Sequence, residues 1–219
     1  MRKVAIFDLD DTLYKEIDYV KSAFDAIARY IFKEVKVDAS VVYDEMMKLY
    51  FRNKDVFGEI TKKYRLTSNT ANLIELYRCH QPNIRLHVKK KFVLEELKSQ
   101  KVDLGLLTDG RGLQQRNKIK SLELEPYFTE IVISEEFGSE KPNEANYRHF
   151  ELIFGKANYY YIGDNIKKDF IAPNNLDWTT ICLLDNGYNI HKQDFTLPLE
   201  NQPAFKIKEF TDLRTILMA

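Results

Sequence analysis

Two aspartates, Asp8 and Asp10, follow the short apolar run Val4-Ala5-Ile6-Phe7 and open the acidic stretch Asp8-Leu9-Asp10-Asp11-Thr12. In an extended backbone, alternate residues point to the same side, so the two carboxylates share one small region. Like charges that close raise each other's pKa unless a cation compensates. The pair is therefore a proton-sharing site or a site for a hard metal ion, set against the plainer reading of an exposed acidic turn. A second acidic loop, Gly163-Asp164-Asn165 with Asp169 beyond it, ends the run Tyr159 to Ile162. Gly163 is expected to permit a tight turn. Asp164 can meet the first pair across neighbouring strand ends, and Asp169 either binds the same cation or orients a ligand. Three strand-end carboxylates suit Mg²⁺, which keeps waters and engages substrate phosphate.

Two further polar loops belong with these. In Leu106-Leu107-Thr108-Asp109-Gly110-Arg111 the Thr108 hydroxyl, the Asp109 and Gly110 amides and a following helix could bind an anion, or Thr108 could simply cap that helix. Arg111 could meet a substrate anion or water. Lys141-Pro142 stands between Ile131-Val132-Ile133 and a later helix. A fixed ammonium there could neutralise both a carboxylate nucleophile and an approaching phosphate, against the plainer reading of a solvated loop lysine, and Pro142 is expected to restrain it and start the helix.

The elements that hold these loops follow from hydrophobic patterning. Continuous apolar runs at Val4–Phe7, Val102–Leu107, Ile131–Ile133, Tyr159–Ile162 and Thr180–Leu184 alternate with helix-length stretches. That alternation predicts an α/β fold, a Rossmann-like three-layer core with a mainly parallel sheet. Helical stripes cover it: Val88, Phe92 and Leu97, then Leu113, Ile119 and Leu122, then Tyr147, Phe150 and Phe154. Residues 14–85 instead carry four successive helical stripes, beginning with Ile17, Val20, Phe24, Ile27 and Ile31. A crossover needs only one helix, so this stretch is expected to be an inserted all-helical cap over Asp8 and Asp10. The division is then 1–13 and 86–219 for the core and 14–85 for the cap. Phe205–Phe210 is expected as an edge strand and Leu213–Leu217 as a final helical turn.

Composition bounds the function. The chain has 219 residues, 44% of them apolar, with 33 Lys plus Arg against 33 Asp plus Glu. A balanced charge favours neither nucleic acid nor an anionic membrane. No run approaches the ~20 apolar residues of a membrane helix, and the apolar run before Asp8 is only four residues long, too short for a signal-peptide core. A cytoplasmic protein is expected, with no membrane partner and a monomeric or homodimeric state. Cys79 and Cys182 have no ligand-spaced neighbour, and His80, His87, His149 and His191 are scattered, so neither zinc nor a histidine base is expected. Trp178 is read as packing, Tyr159-Tyr160-Tyr161 as strand, Lys89-Lys90-Lys91 as a solvated helix start, and Lys167-Lys168 as tuning the acidic loop.

The four loops in order resemble the haloacid dehalogenase-like (HAD) hydrolase superfamily, in its phosphatase branch with a helical cap after the first strand. Asp8-Leu9-Asp10-Asp11-Thr12-Leu13 looks like the first motif, Thr108 the second, Lys141-Pro142 the third, and Gly163-Asp164 with Asp169 the fourth. The resemblance implies Mg²⁺-dependent hydrolysis of a small phosphorylated metabolite through an aspartyl-phosphate. Asp8 would be the nucleophile and Asp10 the acid, then the base, with Thr108 and Lys141 holding the phosphoryl oxygens. Asp8, the Asp10 carbonyl and Asp164 would hold the metal, with Asp169 beside it. Asp109, Gly110, Arg111 and Lys141 would complete substrate binding. Asp109 stands where many relatives have Asn; it points away, contacts the cap or reads the substrate. Lys15 to Tyr19 and Tyr50-Phe51-Arg52 are expected to face the cleft. Dehalogenase chemistry is disfavoured because Asp10 supplies an acid which that branch lacks. A phosphomutase and a catalytically silent phosphate-ligand sensor remain as alternatives.

Overall fold

The computed structural model describes residues 2–218; Met1 and Ala219, the outermost residues of the expected core, lie outside the described residues. Six strands form one sheet: β1 (Lys3–Phe7), β2 (Asp103–Thr108), β3 (Glu130–Ile133), β4 (Asn158–Gly163), β5 (Thr179–Leu183) and β6 (Phe205–Ile207). Their order is β3-β2-β1-β4-β5-β6, and every pairing is parallel. The α/β three-layer reading therefore holds, with no antiparallel member among the described residues. The expected edge strand is shorter than Phe205–Phe210, because Phe210 turns into a 3₁₀ segment, Phe210–Asp212.

Alternation along β1 builds both layers. Val4 and Ile6 point to one face, where Tyr147, Phe150 and Phe154 cover them; Ala5 and Phe7 point to the other, with Val93, Leu94 and Leu97. The covering helices are α5 (Val88–Ser99), α6 (Gly112–Ser121), α8 (Glu144–Phe154), α9 (Ile171–Asn175) and α10 (Leu213–Leu217), with a single turn α7 (Ser134–Phe137) after β3. Two expected stripes hold in part: Leu97 of α5, Ile119 of α6 and Leu122 are buried as expected. Val88 and Phe92 of α5 are exposed, as is Leu113 of α6. On α5 the sheet is met by Val93 and Leu94 instead, and on α6 by a stripe of Gly112, Gln115, Lys118 and Ile119.

Between β1 and α5 the chain forms α1 (Glu16–Val35), α2 (Ala39–Phe51), α3 (Val56–Tyr64) and α4 (Thr70–Arg78). These four share their own core of Ile17, Val20, Phe24, Ile27, Met46, Ile60 and Leu73. Side-chain caps start three of them: Asp38 accepts from Ser40, Asp55 from Gly58, and Asn69 forms a reciprocal capping box with Asn72. Tyr19 ties the unit to its exit, its hydroxyl donating to the Tyr77 carbonyl at 2.5 Å. No helix among the described residues is long and apolar enough to cross a membrane.

Candidate active site

Sheet register brings the acidic loops together. Phe7 of β1 lies opposite Leu106 of β2 and Ile162 of β4, so the chain after each strand emerges at the same end of the sheet. There Asp8, Asp164 and Asp169 each offer a carboxylate oxygen, all within 4.8 Å of one another and all buried. Lys141 reaches them from the loop between α7 and α8. Its Nζ donates to Asp8 Oδ1 at 2.6 Å, to Asp169 Oδ1 at 2.8 Å and to the Tyr161 hydroxyl at 3.1 Å. A cavity of ≈ 180 Å³ lies over this cluster, lined also by Asp10, Glu16, Thr108, Asp109, Lys168 and His191.

The donors sort the four acids into different tasks. Asp169 Oδ1 is taken by Lys141, and Oδ2 accepts from the Asp164 and Asn165 amides at 3.2 and 2.9 Å. Its negative charge is spent on fixing the loop and the lysine. Gly163 makes room for it: a Cβ there would stand 2.4 Å from Asp169 Oδ2. Gly163 ends β4 without a positive φ, so it is the space for Asp169 that calls for a glycine here. Among the described residues, Asp8 Oδ2 and Asp164 Oδ1 accept no hydrogen bond, while Asn189 Nδ2 donates to Asp164 Oδ2 at 2.8 Å. Burial, with repulsion from Asp169, pushes Asp8 up to about 7 despite Lys141. Burial and the charges of Asp169 and Asp8 push Asp164 up to about 9. Crowded, desolvated carboxylates with unused oxygens are a donor set suited to a hard divalent cation.

Asp10 is held apart from this group. Lys118 of α6 donates to its two oxygens at 2.7 and 2.9 Å, Gln115 Nε2 adds a bond at 2.9 Å, and the Tyr14 hydroxyl a short third contact. Burial opposes ionisation, but the Lys118 charge and these hydrogen bonds outweigh it and hold Asp10 below the usual carboxylate range. Gln115 also donates to Thr108 Oγ1 at 2.6 Å, so one buried amide sets both side chains. Thr108 ends β2 and does not cap α6, whose preceding residue is Arg111.

Other expected contacts differ. The Gly110 amide donates to Ser134 Oγ at 2.9 Å and is not offered to the cavity. Arg111 is half exposed beside Glu135 at 3.6 Å, and it does not line the cavity. Both corrections have one cause: after β2 the backbone turns toward α7, whose Ser134, Glu135 and Glu136 take up the donors at the start of α6. Asp109 Oδ1 accepts from the Lys141 amide at 3.1 Å, and Oδ2 from Lys168 Nζ at 2.6 Å. It anchors the lysine loop. Pro142 lies before α8 without starting it, because Asn143 is the cap. Tyr50, Phe51 and Arg52 stay away from the acidic cavity, and of Lys15 to Tyr19 only Glu16 lines it. Burial and the charge of Asp10 push Glu16 up to about 8.

The sequence reading missed Tyr14, Gln115, Lys118, Asn189 and His191. Gln115 and Lys118 carried a signal, three residues apart on the buried side of a helix with few apolar residues. Asn189 and His191 arrive on a loop folded over the site, where Asp185 Oδ1 accepts from the Gly187, Tyr188 and Asn189 amides. Asp11 Oδ2 accepts from the Ile190 amide at 2.8 Å, and its Oδ1 from the Glu16 amide at 3.0 Å. No local pattern announces a residue that reaches the site from such a loop.

A profile of the haloacid dehalogenase-like hydrolases matches residues 5–183. The chain belongs to this family. It is 28% identical over 205 residues to a glyceraldehyde 3-phosphate phosphatase of Methanocaldococcus jannaschii, covering 89% of this chain and 90% of that protein. It is 24% identical over 235 residues to a pyrimidine 5'-nucleotidase of Streptococcus pneumoniae, covering 96% of this chain and 93% of that one. The solved structure of the HAD-hydrolase YfnB of Bacillus subtilis, bound to magnesium, has the same fold. It covers 100% of this HAD chain and 99% of its own, with a TM-score of 0.68 and 18% identity.

Proposed function

We propose that the protein hydrolyses a compact phosphate monoester with Mg²⁺ through a phosphorylated Asp8. One observation carries the reading: Asp8 stands at the end of β1 with Lys141 at 2.6 Å and Asp164 within 4.8 Å, beneath a small cavity. A sensor of phosphate ligands needs neither the strand-end nucleophile nor a second acid at Asp10.

Asp8 and Asp164 fit a hard cation by their unused oxygens and their raised pKa values, with the Asp10 carbonyl as the third protein ligand of the proposal. When bound, the ion supplies positive charge that offsets the repulsion between a carboxylate and a phosphate ester. Lys141 supplies the same from the protein, and Asp109 and Asp169 keep it there by its amide and its ammonium. Asp8 attacks phosphorus, the ester oxygen departs, and water then releases phosphate from the aspartyl-phosphate. The two halves ask opposite protonation states of Asp10: an acid for the leaving oxygen, then a base for water. Lys118, Gln115 and Tyr14 favour the carboxylate, the form required in the second half.

At ≈ 180 Å³ the cavity is smaller than the ~300–1,000 Å³ typical of drug-sized ligands. It suits a compact ester better than a nucleotide, and glyceraldehyde 3-phosphate, named for archaeal relatives, is the first substrate to test. A panel of three-carbon phosphates, hexose phosphates and pyrimidine monophosphates, run with Mg²⁺ and with chelator, decides it. Metal-dependent phosphate release, highest for the three-carbon esters and lost in Asp8→Asn, is the expected result. Binding of these esters without turnover would return the sensor.

A further inference from the structure

The chain leaves β1 for the helical unit at Leu13 to Lys15 and returns to α5 through Arg85 and Leu86. Between these crossings a second cavity of ≈ 510 Å³ opens, sharing no lining residue with the acidic one. Lys15, Arg85, Lys89, Lys90 and Lys208 line it against only two acids, Asp18 and Glu209. Asp18 lies 3.6 Å from Lys21 at the surface, and the Glu209 side chain accepts from the backbone of the 3₁₀ turn it caps while its charge also acts on Lys90. Among the described residues none of the five cations forms an ion pair.

This positive charge is held at a cost to the fold. The first turn of α5 reads Val88-Lys89-Lys90-Lys91 with no acid, which sets lysines against the positive end of the helix dipole. Lys90 is drawn inward, its Nζ donating to the Thr12 carbonyl at 2.8 Å and lying 5.5 Å from the Phe210 ring centre. Burial and the charge of Lys15 push its ammonium down to about 8, against the pull of Asp11, Asp164 and Glu209. The sequence reading of this lysine run as a solvated helix start therefore fails for Lys90. Cations in excess over acids, around a recess that also presents the half-buried Leu86 and Leu184, match a ligand with an anionic head and an apolar or planar body.

We propose that this recess is a second ligand site, which takes a phosphate-bearing small molecule, either free phosphate or a phosphate ester up to the size of a nucleoside monophosphate. The site is linked to Asp164, one of the proposed metal-holding acids. Lys15 Nζ donates to Asn189 Oδ1 at 2.5 Å, and Asn189 Nδ2 donates to Asp164 Oδ2 at 2.8 Å. An occupant that draws Lys15 toward itself changes the hydrogen bond on Asp164, so the recess is placed to regulate the reaction next to it.

Amide NMR of the full chain in chelator, titrated with AMP and separately with inorganic phosphate, tests the proposal whatever the enzyme's substrate. Saturable shifts at the amides of Lys89, Lys90 and Lys208 are expected. The double change Lys89→Gln with Lys208→Gln, both at exposed positions, should weaken binding by at least about tenfold, or ~1.4 kcal/mol. AMP binding tighter than phosphate assigns an ester; equal affinity assigns free phosphate. Shifts confined to residues 108–111, 141 and 164–169, an unchanged affinity in the double variant, or no binding of either probe would overturn the site.

Discussion

Replacing Lys118 by methionine removes a buried ammonium while keeping the length of its stem. The lysine side chain is 3% exposed and its partner Asp10 is 20% exposed. Loss of one member of a buried ion pair costs about 3–5 kcal/mol, because the other charge is left desolvated. Asp10 keeps Gln115 and Tyr14 and some access to water, which places the loss near the low end, ~3 kcal/mol. For a chain of this length, that corresponds to a fall in Tm of about 6–12 °C. The pH dependence has a definite sign. The folded-state pKa of Asp10 is lowered, so the stability it brings is present above the unfolded value of 3.8 and is lost as pH falls through the folded value. Guanidinium unfolding of both proteins should therefore show a gap near neutral pH that narrows under acid conditions. The same substitution raises the pKa of Asp10 and should move the alkaline limb of kcat/KM to higher pH, since the first half-reaction uses the acid form. A loss under about 1 kcal/mol, or a gap that does not narrow in acid, would refute the cage as described.

Three further outcomes follow from the same contacts. Gly163→Ala drives a methyl into Asp169 Oδ2; a stability loss of about 1–3 kcal/mol is expected, with a fall in kcat as Lys141 loses its anchor, measured by denaturation and steady-state kinetics. Arg111→Gln should leave kcat/KM within about twofold of wild type, because the exposed contact with Glu135 is worth little. Metal and protons compete for Asp8 and Asp164, whose pKa values are raised from 3.8 to about 7 and about 9. The metal-free fold therefore holds protons that the unfolded chain has released. It is most favoured by these groups below the unfolded value and loses that contribution as pH rises through the folded values. Thermal melts should then show Mg²⁺ stabilisation that grows from about pH 6 to about pH 9 and is lost in Asp164→Asn.

Where chemistry and backbone periodicity coincide, the chain could be read directly. Asp8, Thr108 and Asp164 end or follow buried parallel strands, and the runs that precede them are short and mostly apolar, as strands covered on both faces are. Lys141 was legible by its loop, and Asp169 by its distance from Asp164, although its part in fixing Lys141 needed coordinates. The helix faces were harder. On α6 the eye follows Leu113, which is exposed, whereas Gln115 and Lys118 are buried because Asp10 and Thr108 require donors. Gly110, and Arg111 in its substrate-binding reading, were misplaced because a single sequence does not say that α7 will reach across to occupy them; the solvent-facing reading of Arg111 fits its exposure. The loop carrying Asn189 and His191 was read only as turn-rich, since its partners are distant in the chain.

The most direct test of the central claim is to trap the enzyme during turnover and locate the phosphate. With substrate and Mg²⁺ present, hydroxylamine treatment followed by peptide mass analysis should mark the side chain of Asp8, with no mark in Asp8→Asn or in chelator. Metal-dependent hydrolysis that proceeds with no label at Asp8, or that survives Asp8→Asn, would contradict it.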